Sequence, residues 1–296
     1  MSKELRLIIV SGLSGSGKTV ALHVLEDLGY NCIDNLPATL LKAAVDEVRS
    51  RATGSAKLLA VGIDARARAE DLRSLPELLR ELRQQNVQTE IIFLHASDAI
   101  LLQRYGESRR RHPLAEFGDE LRAAINRDRA ILSEIHDSAD LIIDTSRTSI
   151  YELADTIRER VDRRKQNTLS ILIQSFGFKY GIPADADFVF DLRSLPNPYW
   201  TLELRGLTGL DEEVTEFLNR DENFRAMFED ILGFLDRWIP RYRESQRGYL
   251  TVAIGCTGGQ HRSVCMTEKL AAGLRANHEP VLIRHNSLTA HRLDPD

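Results

Sequence analysis

Cysteine is scarce in this chain, with only Cys32, Cys256 and Cys265 among 296 residues. Three scattered thiols exclude a disulfide framework and a four-ligand zinc site, and they point to a reduced, cytoplasmic protein. Long hydrophobic runs are also missing. The apolar stretch at residues 7–10 is shorter than a signal-peptide core, and nothing approaches the roughly 18 apolar residues of a membrane span. Neither export nor a membrane partner is expected. An excess of positive charge is lacking too: 39 basic against 44 acidic side chains leave a net charge of -5. Divided at residue 166, the two halves carry 25 basic against 26 acidic and 14 against 18. No half is a polycation that coats nucleic acid by charge alone, so any such contact must be local. Aromatic surface is not evident either. Trp200, Trp238 and the phenylalanines of residues 224–234 sit at loop or helical positions without interleaved basic residues, the pattern of core rather than of base stacking.

The chain is long enough for two domains of about 150 residues. In the first half, short apolar runs at residues 7–10, 30–33, 58–63, 91–94 and 141–143 alternate with helical stripes such as Ala21, Val24, Leu25 and Leu28. Parallel strands need crossovers long enough to hold a helix, so this alternation predicts an α/β nucleotide-binding layer, a kinase-like P-loop NTPase sheet, over residues 1–165. Its last helix opens on the capping-box pair Ser149 and Glu152 and runs out in charged and amide residues near 166. Residues 166–296 read as a second α/β domain, with strands at 169–173, 188–192, 249–254 and 281–283 and a two-proline loop, LPNPYW, at 195–200.

Gly12, Leu13, Ser14, Gly15, Ser16, Gly17, Lys18 and Thr19 match G-x-x-x-x-G-K-[ST] between a strand and a helix. Glycines let backbone N–H groups turn inward as an anion nest, and the helix N-terminus adds its dipole. Lys18 can reach the β- and γ-phosphates, and Thr19 can ligate Mg²⁺. Asp34, Asp64 and Asp144 each end an apolar run, on the edge where doubly wound sheets bind ligands. Asp64 has the best strand before it and is the favoured metal-facing acid, the competing role being a helix cap. Lys18, Thr19 and Asp64 are thus the catalytic candidates. Arg104, Arg109, Arg110, Arg111 and His112 form a cationic stretch ended by Pro113, and Arg109, Arg110 and Arg111 suit a lid that closes over phosphates.

A second glycine-rich strand-to-helix junction, GCTGGQHRS, starts at Gly255. It predicts a second anion site, with Arg262 for fork-shaped recognition of phosphate or carboxylate. Cys256 and Arg262 stand in the C-x5-R spacing of cysteine phosphatases, but Gly255 replaces the histidine those enzymes carry, so a non-hydrolytic sugar-phosphate pocket is preferred. Cys32 and Cys265 have apolar neighbours and are assigned no chemistry.

Beyond these loops, EDLGYNCIDNLP at residues 26–37, SFGFKYGIPADADFVFD at 175–191, LPNPYW and YLTVAIGCTGGQHRSV at 249–264 together resemble the RapZ/YvcJ family of P-loop proteins, over essentially the whole chain. The resemblance implies slow hydrolysis of ATP and GTP, with the guanine nucleotide at Asp64, Ala65, Arg66 and Ala67. It implies a C-terminal domain that senses glucosamine-6-phosphate through Thr257, Gly258, Gly259, His261 and Arg262. For some members it also implies an adapter that hands a small regulatory RNA to an endoribonuclease, and further copies of the chain are expected as partners. The tail departs from the adapter pattern: after Pro280 it holds only Arg284 and Arg292, with His285 and His291. At about one log unit of salt slope per phosphate neutralised, that is a thin footprint. Two other readings stay open, a small-molecule P-loop kinase and a phosphatase at Cys256. A simple kinase would be complete by about residue 165 and would not need the second loop.

Overall fold

The computed structural model describes residues 5–51, 57–66, 69–116, 119–162, 168–245 and 247–288. The chain divides into two compact units, Met1–Asp162 and Arg163–Asp296. One glycine loop falls in each unit.

In the first unit the order is β1 (Leu5–Gly12), α1 (Lys18–Asp27), β2 (Asn31–Ile33), α2 (Leu41–Arg51), β3 (Lys57–Gly62), α3 (Ala69–Arg73), α4 (Leu75–Gln84), β4 (Val87–His95), α5 (Asp98–Ser108), α6 (Leu121–Asp137), β5 (Leu141–Asp144) and α7 (Ile150–Ile157). The strands form one parallel sheet in the order β2-β3-β1-β4-β5. Leu7, Ile8, Ile9 and Val10 are all fully buried, because helices cover both faces and every residue of a central strand points into one layer or the other. Each such side chain contributes about 1.5–3 kcal/mol relative to exposure. The chain leaves β1 for one side of the sheet and later crosses to the other, so the carboxyl end of β1 is the switch point where ligands bind.

Leu72, Leu75, Leu78, Leu79 and Leu82 read in the sequence as one helical stripe, but they fall on two helices, α3 and α4. Pro76 has no N–H to donate and sits in the first turn of α4, where none is needed, so the helix restarts after Ser74. The capping box at α7 forms both of its arms: Ser149 N–H donates to Glu152 Oε2 at 2.8 Å, and Glu152 N–H to Ser149 Oγ at 3.2 Å.

The second unit contains β6 (Ser170–Gly177), β7 (Phe188–Asp191), α8 (Glu212–Arg220), α9 (Glu222–Glu244), β8 (Tyr249–Cys256), α10 (Arg262–Leu274) and β9 (Val281–His285). Its sheet is again parallel, in the order β7-β8-β6-β9. Central β6 and β8 are buried along their whole length, and the polar side chains of Gln174 and Ser175 in β6 are partnered. Gln174 Nε2 donates to Asp185 Oδ1 at 2.8 Å, and Ser175 Oγ lies 2.8 Å from His285 Nδ1. The tryptophans correct the sequence expectation: Trp200 is 76% exposed and Trp238 is 45% exposed, so neither is core. Trp200 ends a short 3-10 turn, Pro198–Trp200, on a surface loop; Trp238 lies on the outer flank of α9 against Phe234.

Candidate functional site

The N-terminal loop is shaped by backbone before any ligand is considered. Gly12 has φ 144, and a Cβ there would stand 2.3 Å from the Leu94 carbonyl oxygen, so only glycine lets β1 end this close to β4. Lys18 opens α1 and folds back, its Nζ donating to the carbonyls of Gly12 at 2.7 Å and Leu13 at 3.3 Å. Burial lowers the pKa of Lys18, while Asp128, Asp64 and Asp34 act in the opposite direction. Its charge meets carbonyl dipoles, and no carboxylate pairs with it among the described residues. A phosphate fits that arrangement. Thr19 is exposed on the first turn of α1.

The three strand-end acids, among which the sequence favours Asp64, behave differently. Asp64 is clamped by the residue two positions on. The Arg66 N–H donates to Oδ1 at 3.0 Å, and the guanidinium reaches Oδ2 at 2.9 Å through Nε and 2.7 Å through Nη2. Burial pushes the Asp64 carboxyl up, but the Arg66 hydrogen bonds outweigh it and hold it below the usual carboxylate range. Asp144 accepts from the Ser146 N–H at 2.9 Å and hydroxyl at 2.5 Å, the turn-capping role. Asp34 is exposed at the end of β2. Ala65 is buried between Asp64 and Arg66, and Ala67 lies outside the described residues.

The cationic stretch splits. Arg109 has left-handed backbone and closes α5, and Arg109, Arg110 and Arg111 are exposed, as a lid segment must be. Arg104 belongs instead to the loop itself: Nη1 donates to the Gly15 carbonyl at 3.0 Å and Nη2 to the Thr145 carbonyl at 2.6 Å. His112 is buried against Asp128. Asp128, which the sequence reading missed, accepts the Ser14 N–H at 2.7 Å while only 1% exposed.

In the second unit, Thr257 is exposed, Gly258 is half-buried, and Gly259, His261 and Arg262 are buried beneath them at the start of α10. Arg262 Nη1 donates to the carbonyls of Leu192, Arg193 and Leu195 at 3.3, 3.1 and 2.8 Å. Nη2 reaches Thr257 Oγ1 at 3.4 Å, and Nε has no hydrogen-bond partner. His261 is held by the Leu204 carbonyl at 3.2 Å, and burial lowers its pKa. At the loop's base, Cys256 Sγ accepts the Gly259 N–H at 3.2 Å and lies 3.2 Å from Ser263 Oγ. A histidine at position 255 is blocked by packing: any Cβ there would stand 2.5 Å from Phe178 and 2.6 Å from Phe176. The remaining thiols match their assignment as inert. Burial pushes Cys32 up to about 11 and raises Cys265 as well.

A parallel sheet with a phosphate loop at its switch point, joined to a second parallel sheet with its own glycine loop, defines a two-part nucleotide-binding α/β protein. Residues 5–165 match the RapZ-like N-terminal domain and residues 169–289 match the RapZ C-terminal domain. The chain belongs to that family. A nucleotide-binding protein of Halorhodospira halophila is 50% identical over 285 residues, 96% of this chain and 99% of that protein. One of Marinobacter nauticus is 48% identical over 285 residues, 96% of this chain and 97% of that one. Among solved structures, shikimate kinase from Acinetobacter baumannii in complex with shikimate aligns with 55% of this chain and 96% of its own, at 21% identity and a TM-score of 0.35.

Proposed function

We propose that this protein is a regulator that binds ATP and GTP with Mg²⁺ at the N-terminal loop, hydrolyses them slowly, and senses glucosamine-6-phosphate at the C-terminal loop. Its output in this reading is that of an adapter presenting a small regulatory RNA to an endoribonuclease.

The observation that carries the sensor reading is Arg262. It is 3% exposed, it stands at the N-terminus of a 13-residue helix, and its Nε lacks a partner. A buried, unmet donor on a cation costs free energy that an anion seated at Thr257 and Gly258 would offset. Nη1 is already spent on carbonyls, so the guanidinium is fixed in place before the ligand arrives. Fixed donors suit recognition of a ligand that is held and released unchanged. In the first unit, Mg²⁺ bound with the nucleotide would neutralise charge on the phosphates, held by Thr19 and a strand-end acid. Lys18 and the inward amides orient those phosphates, and the exposed Arg109, Arg110 and Arg111 stand ready to cover them.

For the RNA arm, Arg284 contributes little. Its Nη2 bonds Asp185 at 2.8 Å and Gln174, which leaves the tail's cationic surface to residues beyond 288 and to neighbouring copies of the chain.

Calorimetry with glucosamine-6-phosphate tests the sensor. Saturable binding that Arg262→Lys weakens supports it, and no heat with the wild-type chain ends it. Sequencing the RNA recovered with the tagged protein, with and without the sugar phosphate, tests the adapter. The hydrogen bonds to Cys256 favour one second reading, a thiolate phosphatase. Turnover of a sugar phosphate by the wild type that is lost in Cys256→Ser would establish it, and binding without turnover would dismiss it.

A further inference from the structure

Three consecutive residues of the N-terminal loop are gripped from outside by side chains of three different elements. The Ser14 N–H is bound by Asp128 of α6 at 2.7 Å, the Gly15 carbonyl by Arg104 of α5 at 3.0 Å, and the Ser16 carbonyl by the Thr145 hydroxyl, just beyond β5, at 2.9 Å. Arg104 Nη1 and Nη2 also bind Thr145 Oγ1 at 3.1 Å and the Thr145 carbonyl at 2.6 Å, so two of the three supports are locked to one another. The third, Asp128, is packed against a buried ring: His112 Nε2 lies 3.3 Å from Asp128 Oδ2, and His112 Nδ1 accepts the Leu114 N–H at 3.1 Å.

We propose that Arg104, Asp128 and Thr145 are positioning residues of the nucleotide site, which aim the loop's amides at the phosphates by holding its carbonyls and its apex from behind. The inference rests on the reading of this loop as a nucleotide site.

Peptide geometry links these contacts to the site. A trans peptide is planar, so the carbonyl of one residue and the N–H of the next point in opposite directions. Thr145 draws the Ser16 carbonyl outward, and that aims the Gly17 N–H to the opposite side, at the start of α1. Arg104 fixes the Gly15 carbonyl and with it the Ser16 N–H, which closes a turn onto the Leu13 carbonyl at 3.0 Å. That carbonyl and the neighbouring Gly12 carbonyl are the two that hold Lys18. The frame therefore sets both the Gly17 amide and the lysine. A loop held this way reorganises little when an anion arrives, and this is what makes oriented dipoles effective. Arg104 differs in role from its neighbours Arg109, Arg110 and Arg111: it faces the outer side of the loop, and they are open to solvent.

Calorimetry with ADP and with inorganic pyrophosphate on Thr145→Val and Thr145→Ser tests the proposal, with far-UV circular dichroism confirming the fold of each. Valine keeps the shape and deletes the hydroxyl. The expected result is about tenfold weaker binding of both probes by Thr145→Val, equal for the two because the frame acts on phosphate, and recovery to within about twofold by Thr145→Ser. Thr145→Val binding both probes as the wild type does, or losing ADP alone, overturns the proposal. So does a serine variant as weak as the valine one. If Thr145→Val does not fold, half-exposed Arg104→Lys carries the same test: it should lose several-fold in both probes, and wild-type affinity would overturn the frame. A wild type that binds neither probe would instead remove the nucleotide reading itself.

Discussion

The two glycine loops occupy the same place, the junction of a strand with a helix N-terminus, and treat the cation there in opposite ways. The N-terminal loop uses Lys18, whose ammonium rests on two backbone carbonyls and whose pKa is lowered by burial against the pull of Asp128, Asp64 and Asp34. The C-terminal loop uses Arg262, pinned through Nη1 by three carbonyls of the segment before it. A lysine is a point charge on a flexible stem and can follow a phosphate that departs; a pinned guanidinium reads one geometry. On the proposed function the two cations divide the labour, with turnover at the first loop and recognition at the second. Both loops are nonetheless flanked by the same device. Asp64 and Arg66 follow β3, Asp191 ends β7 with Arg193 just beyond it, and each pair is closed by the arginine's N–H and side chain onto the aspartate, with Nη2 at 2.7 Å from Oδ2 in both.

The sharpest way to break the comparison is Lys18→Ala. Deleting a charge-assisted contact to phosphate costs about 1.5–3 kcal/mol, so ATP affinity should fall about 10- to 100-fold, and glucosamine-6-phosphate affinity should not move. Loss of both ligands in calorimetry would show that the two loops are not independent. Next in size is Arg262→Lys. A lysine cannot reproduce the fork to three carbonyls, so it should destabilise the second unit by about 2 kcal/mol and weaken the sugar phosphate about tenfold, with ATP binding intact. Urea unfolding followed by tryptophan fluorescence isolates that unit, because Trp200 and Trp238 are the only tryptophans.

The paired clamps allow a finer separation, of a few-fold. Both arginines are half exposed, so the ion pairs themselves are weak and either side chain is easily released to a ligand. Arg66→Ala leaves Asp64 uncompensated beside the phosphate site. ATP without Mg²⁺ should bind several-fold more weakly, and Mg²⁺ should restore the affinity if Asp64 faces the metal. An equal loss with and without the ion would place Arg66 itself on phosphate and remove Asp64 as the metal acid. Arg193→Ala should weaken the sugar phosphate by a similar factor, with no recovery by Mg²⁺.

What could be read in the sequence follows from range. The phosphate loop, the strand-helix alternation and the capping box at Ser149 are local patterns, set by residues within a turn or two of each other, and each stands where the spacing puts it. The frame behind the loop was not legible. Asp128 meets Ser14 across 114 residues and Thr145 meets Ser16 across 129, and within its own helix Asp128 is one more charge between Arg127 and Arg129. Arg104 was grouped with the arginines near it in sequence, although its partners are in the loop. Arg262 was legible as a loop residue by its spacing from Cys256. That its Nη1 serves carbonyls about 70 residues earlier is a property of the fold alone. The tryptophans misled for a related reason: an aromatic at helical spacing marks a stripe, but Trp238 is on the edge of its stripe and Trp200 on a loop outside any.

The smallest effect concerns acid. His261 beside Arg262 is pushed below the ordinary imidazole value of 6.5, by burial first and by the Arg262 charge as well, against the pull of the carbonyls around it. Burial lowers His95 in the first unit in the same direction. A base with a depressed folded-state pKa is neutral in both states well above 6.5, where its contribution is unaffected. As pH falls below that value the unfolded chain takes up a proton that the folded chain resists, and stability is lost until the folded pKa is passed. The second unit should therefore lose urea resistance between pH 7.5 and 5.5, and His261→Asn should flatten that slope in the tryptophan signal. His95→Asn should leave that signal's slope as it is, because both tryptophans lie outside its unit. A slope unchanged in His261→Asn would assign the acid sensitivity to other groups, and it would leave Arg262 and its carbonyls, without the neighbouring imidazole, as the part of the second loop that distinguishes it from the first.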